Sequence, residues 1–163
     1  MIEKRRPDLG PAGDDEVVAW WDLVVAGHLA TQNRLNNAIA ERFGLSLAQF
    51  DILARLLRTP GHRMPMTRLA TQATLTSGGF TKIADRLTAA GLIIREPCDE
   101  DRRVVYARLT PHGMSLTRKA RKAFADVLRE RVIEPLGEEP AAALTTSMRL
   151  LRDLNGDQRR PSR

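Results

Sequence analysis

The stretch Leu92-Ile93-Ile94-Arg95-Glu96-Pro97-Cys98-Asp99-Glu100-Asp101-Arg102-Arg103-Val104-Val105-Tyr106-Ala107-Arg108-Leu109 sets a charged, arginine-bearing turn between two strand-like runs, 92–95 and 104–109. Along the second run Val105, Ala107 and Leu109 alternate with Val104, Tyr106 and Arg108, so one face can pack inward while the turn projects away. The hairpin directly follows a helical segment, Ser77 to Ala90, that opens with Thr76-Ser77-Gly78-Gly79 and is closed by Gly91. A groove-entering helix followed by a charged hairpin reads as a winged helix-turn-helix, an arrangement suited to nucleic acid.

Within 77–90, Phe80, Ile83 and Leu87 share one face and are expected in the core. The opposite face then carries Gly78, Lys82, Asp85 and Ala89, flanked by Gly79, Thr81 and Arg86. Two glycines in a first helical turn cost about 1 kcal/mol each relative to alanine, so a compensating reason is expected. One is close approach of the backbone to phosphate or base edges, with Ser77, Thr81 and Lys82 adding donors at the positive helix end. The other is tight helix packing.

In the turn, Asp101 is expected to hold the Arg103 guanidinium extended by a charge-assisted pair, aiming Arg103 at a narrow minor groove. Arg102 is assigned to phosphate or groove contact. Taken alone, such a run is a solvated charged turn, and its place after the recognition helix gives it the second meaning.

Working outward, Met66 to Ala73 forms a short helix that pairs with 77–90 as a helix-turn-helix. Ser46 stands three residues before Gln49, the spacing of a capping box, and Leu47, Phe50, Leu53, Ala54 and Leu57 form a stripe that ends before Thr59-Pro60-Gly61. Upstream, Asp14 or Asp15 is expected to cap a long helix carrying Val17, Trp20, Trp21, Val24, Leu29, Leu35 and Ile39 and ending at Gly44. Such a helix is too long to be covered by a small core. Downstream, Thr110-Pro111 starts a helix running to about Glu134, Pro135 to Pro140 break the chain, and a last helix, about Ala141 to Leu154, carries Leu144, Met148, Leu151 and Leu154. The chain thus divides into a tail over 1–13, a helix over 14–44, the DNA-binding region over 45–110, helices over 111–155 and a basic tail over 156–163.

The 163 residues suffice for one core with appended helices, and the net charge of +6 favours a polyanionic partner. No apolar run approaches the roughly 18 residues of a membrane span, and the start is read as carrying no export signal. The single cysteine, Cys98, rules out an internal disulfide and suits the cytoplasm.

Over Leu45 to Gly113 the sequence resembles the MarR family of bacterial transcription regulators, named for multiple antibiotic resistance. The likeness rests on Thr76-Ser77-Gly78-Gly79-Phe80-Thr81-Lys82, on Asp85-Arg86-Leu87 with Ala90-Gly91-Leu92, and on Asp101-Arg102-Arg103 continuing to Leu109-Thr110. Val104, at an often small position, and Ala107, at an often larger aliphatic one, depart from the pattern. The resemblance implies a mainly α fold with a small β-hairpin wing, and a winged helix-turn-helix core flanked by N- and C-terminal dimerisation helices. It further implies an obligate homodimer on double-stranded, pseudo-palindromic operators, and control by a small aromatic or phenolic effector or by oxidation. A pocket for such an effector would lie between the first long helix, the helix after Ser46 and the helix after Thr110, with Trp20, Trp21, His28 and Phe50 as walls. The plainer reading of those aromatics is interhelical core.

Other chemistries find little purchase. His28, His62 and His112 lack the spacing of a helical metal site, and no cofactor is expected. Glu96, Asp99 and Glu100 oppose a thiolate at Cys98, and the family's peroxide sensors typically place their cysteine near the N-terminus, where this chain has none. No phosphate loop, nucleophile elbow or Cys/His pair marks an enzyme. The run Arg118-Lys119-Ala120-Arg121-Lys122 reads as a solvated helix face or as a stripe beside the DNA backbone. The competing function is a winged-helix module for protein assembly, which would not be expected to keep the basic set Lys82, Arg86, Arg102 and Arg103.

Overall fold

The structure, a computed structural model, describes residues 13–73, 77–98, 100–101 and 103–156. The expected tails, except Gly13 and Gly156, therefore lie outside the described residues, as do Thr76, Asp99, Arg102 and the side chain of Ser77. Among the described residues, seven α-helices and a three-stranded antiparallel sheet follow in the order α1 Asp14–Phe43, α2 Leu47–Arg58, β1 Arg63–Pro65, α3 Met66–Gln72, α4 Ser77–Ala89, β2 Ile93–Pro97, β3 Val105–Leu109, α5 Pro111–Leu128, α6 Glu134–Leu136 and α7 Glu138–Asn155. The mainly α winged-helix class expected from the sequence is the class observed.

α2 is the centre of the core. Its capping box closes as expected: the Gln49 amide donates to Ser46 Oγ at 3.2 Å and the Ser46 amide to Gln49 Oε1 at 2.8 Å. Ile52, Leu53 and Leu56 have no exposed surface, and with Ile39, Phe80, Leu87, Ile93, Ala107 and Leu109 they make one cluster. Phe50 stacks on Phe124 of α5 with centroids 5.0 Å apart. Ile52 and Leu56 widen the expected stripe because α2 packs against α1, α4, α5 and the sheet.

α1 runs its full predicted length to Gly44, whose φ of 64° and bond to the Ala40 carbonyl end it. The expected aspartate cap is replaced: Gly13 occupies the N-cap position, and Asp14, Asp15 and Glu16 lie inside the first turn, where they offset the helix dipole. Of the apolar positions on α1 only Leu35 and Ile39 are buried. α7 buries only Ala141.

β1, which was not anticipated, pairs Met64 with Ala107 and makes β3 the central strand in the order β1-β3-β2. On its other side β3 pairs Ala107 with Arg95 and Leu109 with Ile93. Ala107 and Leu109 face inward as expected, whereas Val105, 37% exposed, lies beyond the core.

The chain breaks inside the expected 135–140 segment, although at neither proline. α5 continues through a π-helical turn, Arg129–Ile133, into α6, and the break falls at Gly137, with φ 81°. The wider turn precedes Pro135, whose ring would collide with a regular carbonyl ladder. Pro140 sits in the first turn of α7, where its missing N–H costs nothing. No helix among the described residues is long and apolar enough to cross a membrane.

Candidate nucleic-acid interface

α4 is seated by Phe80, Ala84 and Leu87, which are 4%, 1% and 0% exposed. Its end is a Schellman turn: Leu92 N–H bonds the Leu87 carbonyl at 3.0 Å and Gly91 N–H the Thr88 carbonyl at 2.9 Å, with Gly91 at φ 66°. Burying that stripe turns Gly78, Thr81, Lys82, Asp85 and Arg86 to solvent. A Cβ built on Gly78 meets nothing within 4 Å, so packing does not require glycine there, and the open backbone faces outward. Lys82 and Arg86, four residues apart, share one face. Neither has an ion-pair partner among the described residues.

The remaining charge on that face has a structural task. Asp85 Oδ1 accepts from Arg95 Nη2 of β2 at 2.6 Å, linking the helix to the wing strand.

The wing is stiffened at its base and open at its tip. Glu96 takes Arg108 across β2 and β3 through two hydrogen bonds, one from Nε at 2.9 Å. That bond holds the Glu96 carboxyl below the usual carboxylate range, with Arg63 adding a smaller Coulombic pull. The Arg63 guanidinium lies 5.0 Å from the Tyr106 ring centroid. At the tip, the Cys98 amide bonds the Val104 carbonyl and the Val104 amide bonds the Asp101 carbonyl, each at 2.9 Å.

Asp101 behaves differently from expectation. Its Oδ1 accepts the backbone amide of Arg103 at 2.9 Å, so the carboxylate shapes the turn and does not pair with the guanidinium. Asparagine and aspartate make such short-range bonds because the side-chain oxygen reaches the amide two residues on. The Arg103 side chain is exposed and left free for another partner.

Thr110 joins the two halves of this surface. Its hydroxyl donates to the Gly91 carbonyl at 2.7 Å and accepts the Gly113 amide at 2.9 Å, capping α5 while holding the end of α4. Gly113 is buried so tightly that a Cβ there would lie 2.0 Å from the Leu92 carbonyl oxygen. Sequence reasoning missed Arg95, Gly113 and Arg68, the last an exposed cation on α3, the helix preceding α4. The positive charge of Arg68 on the first helix of the pair was its one available signal.

The residues expected to wall an effector pocket are not brought together within the chain. Trp20 and Trp21 are 49% and 48% exposed on α1, His28 is exposed, and Phe50 is buried against Phe124. The long α1 separates them from the core that contains Phe50. No group of three or more His, Cys, Asp or Glu among the described residues is placed to hold a metal.

A family model described as MarR family matches residues 43–104, the span from the end of α1 to the wing tip. A helix-turn-helix transcriptional regulator of Bacillus cereus is 33% identical over 108 residues, covering 60% of this chain and 69% of the relative. The chain belongs to the MarR family of transcriptional regulators. Among solved MarR-family structures, a regulator from Streptomyces coelicolor, AbsC, is 27% identical and covers 88% of this chain and 95% of its own, with a TM-score of 0.78. A second MarR-family regulator of that organism, solved in complex with DNA, matches at a TM-score of 0.80 and 23% identity, over 93% of this chain and 95% of its own, and shows the shared MarR fold.

Proposed function

We propose that the protein is a homodimeric, sequence-specific DNA-binding transcription regulator, a repressor whose DNA binding responds to a small ligand. The observation that carries this reading is the outward face of α4, where Gly78 leaves the backbone open beside the unpaired cations Lys82 and Arg86. In this reading Ser77, Gly78, Gly79, Thr81, Lys82 and Arg86 meet the major groove. Asp101 shapes the wing so that Arg103, with Arg102, enters the minor groove. Arg68 contacts phosphate.

The second copy is supported by apolar surface that one chain leaves uncovered. Val17, Val18, Trp20, Trp21 and Leu23 on α1, and Leu144, Met148, Leu150 and Leu154 on α7, are all at least 41% exposed. Their burial between two copies would stabilise a dimer at about 25 cal/mol per Å2 of apolar area removed from water. Two recognition helices would then address half-sites about one helical turn, roughly 34 Å, apart. A dimer spanning an operator that overlaps a promoter excludes polymerase, which is why repression is the proposed outcome. An aromatic or phenolic effector would have to meet Trp20, Trp21 and His28 where the copies join. The DNA partner implies the cytoplasm.

The test is a fluorescence titration against the DNA upstream of the coding region and against a scrambled duplex, at several salt concentrations. Preferential binding at two protomers per site with a steep salt slope supports the proposal. Equal, weak binding of both duplexes, followed by failure to select any preferred site from random DNA, would favour an assembly module.

A further inference from the structure

α5 carries a basic face that the DNA reading does not use. Arg118, Lys122, Ala125 and Arg129 follow helical spacing along one stripe, with Arg121 beside it. This stripe faces Leu57 at the end of α2 and His62 in the turn before β1, and together they line a groove of 580 Å3. The groove is open to solvent along its length, and Leu57 and Ala125 supply the apolar part of its lining.

Charge in the groove is unbalanced. Asp126 alone supplies negative charge on this part of α5: it takes Lys122 at 2.9 Å and Arg129 at 2.8 Å, and these cations, Lys122 first, hold its carboxyl below the ordinary range. Arg118 and Arg121 have no acidic partner among the described residues. His62 adds two unusual features. It is a non-glycine residue at φ 52°, and its Nδ1 is buried without a hydrogen-bond partner. An open groove whose helical side carries two guanidinium groups without acidic partners among the described residues suits an anion.

We propose that this groove binds a compact, multiply charged oxyanion, a phosphorylated metabolite or a polycarboxylate, through Arg118 and Arg121, with His62 on the facing wall. Planar guanidinium groups match carboxylate and phosphate oxygens in pairs, and such bonds are stronger than neutral ones. The site is independent of the DNA contacts on α4 and the wing.

The experiment is calorimetric titration of the full chain with inorganic pyrophosphate and with citrate, at ionic strength matched by sodium chloride. Saturable binding is expected, weakened at least tenfold by the double variant Arg118→Gln/Arg121→Gln and retained by Arg86→Gln/Arg103→Gln. The single variants Arg118→Gln and Arg121→Gln, each at an exposed helical position, are expected to weaken it severalfold with unchanged circular dichroism. Whichever anion binds more tightly names the class. Heats no greater than those of the chloride control, or equal binding by the double variant, would overturn the proposal. Loss of duplex affinity in the double variant without any saturable response to either anion would do the same, and would reassign the cations to the DNA backbone.

Discussion

Asp85 on the recognition helix and Arg95 on the wing strand meet at 2.6 Å, so the two parts of the proposed DNA surface are tied directly to each other as well as through the core. Both side chains are more than a third exposed, so the pair contributes little to folding, about 0 to 1 kcal/mol. Its effect belongs to orientation. Asp85→Asn is expected to leave the urea midpoint within that range while weakening operator binding several-fold. In a double-mutant cycle with Arg95→Gln, additive losses in DNA affinity would show that the link does not act as a unit.

Arg103→Ala is expected to reduce operator affinity without altering folding or dimerisation, because its side chain is exposed and only its backbone amide bonds Asp101. Lys82→Ala should also weaken binding. If Lys82 contacts phosphate, the loss will be uniform across sequences and the salt slope will fall by about 0.9. A mutant of Arg103 with normal affinity would remove the wing from the mechanism.

Gly113, within Thr110's network, and Gly78, in the first turn of α4, should respond in opposite ways to alanine. At Gly113 the added methyl would overlap the Leu92 carbonyl, and destabilisation of about 1–3 kcal/mol or more is expected. At Gly78 the methyl enters open space in a helix, and stability should rise by roughly 0.5–1 kcal/mol while DNA binding falls. Chemical denaturation beside DNA titration separates the two effects.

Protonation should loosen the wing base. Because Arg108 depresses the Glu96 pKa in the folded chain, the stabilisation by this pair is present above the unfolded carboxyl value, about 4.3, and is lost as pH falls through the lower folded value. The difference in stability between the wild type and Glu96→Gln should therefore favour the wild type at pH 7 and shrink on acidification. A difference constant from pH 7 to pH 3 would count against the pair.

Leu23, 72% exposed on α1, offers a test of assembly. Leu23→Glu is expected to yield monomer by sedimentation velocity, with α2 to β3 still folded. A dimer of unchanged strength would place the interface elsewhere.

Much of this architecture was legible because its signals are local. The Ser46 and Gln49 caps, the Phe80 and Leu87 stripe, Gly91 and Thr110-Pro111 each act within a few residues of themselves. What escaped depends on distant partners. β1 is three residues long and contains Pro65, too short to show an alternating period, and exists only because β3 offers it Ala107. Asp101 and Arg103 were correctly paired, but a carboxylate has both a guanidinium and an amide within reach, and spacing alone does not choose between them. The break expected within 135–140 is present, but Gly137 makes it, while a π turn precedes Pro135 and a helix start receives Pro140. Trp20, Trp21, His28 and Phe50 were placed around one pocket between three helices, and the length of α1 keeps the first three apart from Phe50.

The strand order β1-β3-β2 leaves two edges, and each ends in a proline near the wing tip: Pro65 opposite Tyr106 and Pro97 opposite Val105. A proline offers no amide to an incoming strand, and Arg95 and Glu96 add charge along the longer edge. A hairpin that stands out from the body thereby offers the hairpins of other molecules a poor template for edge-to-edge pairing.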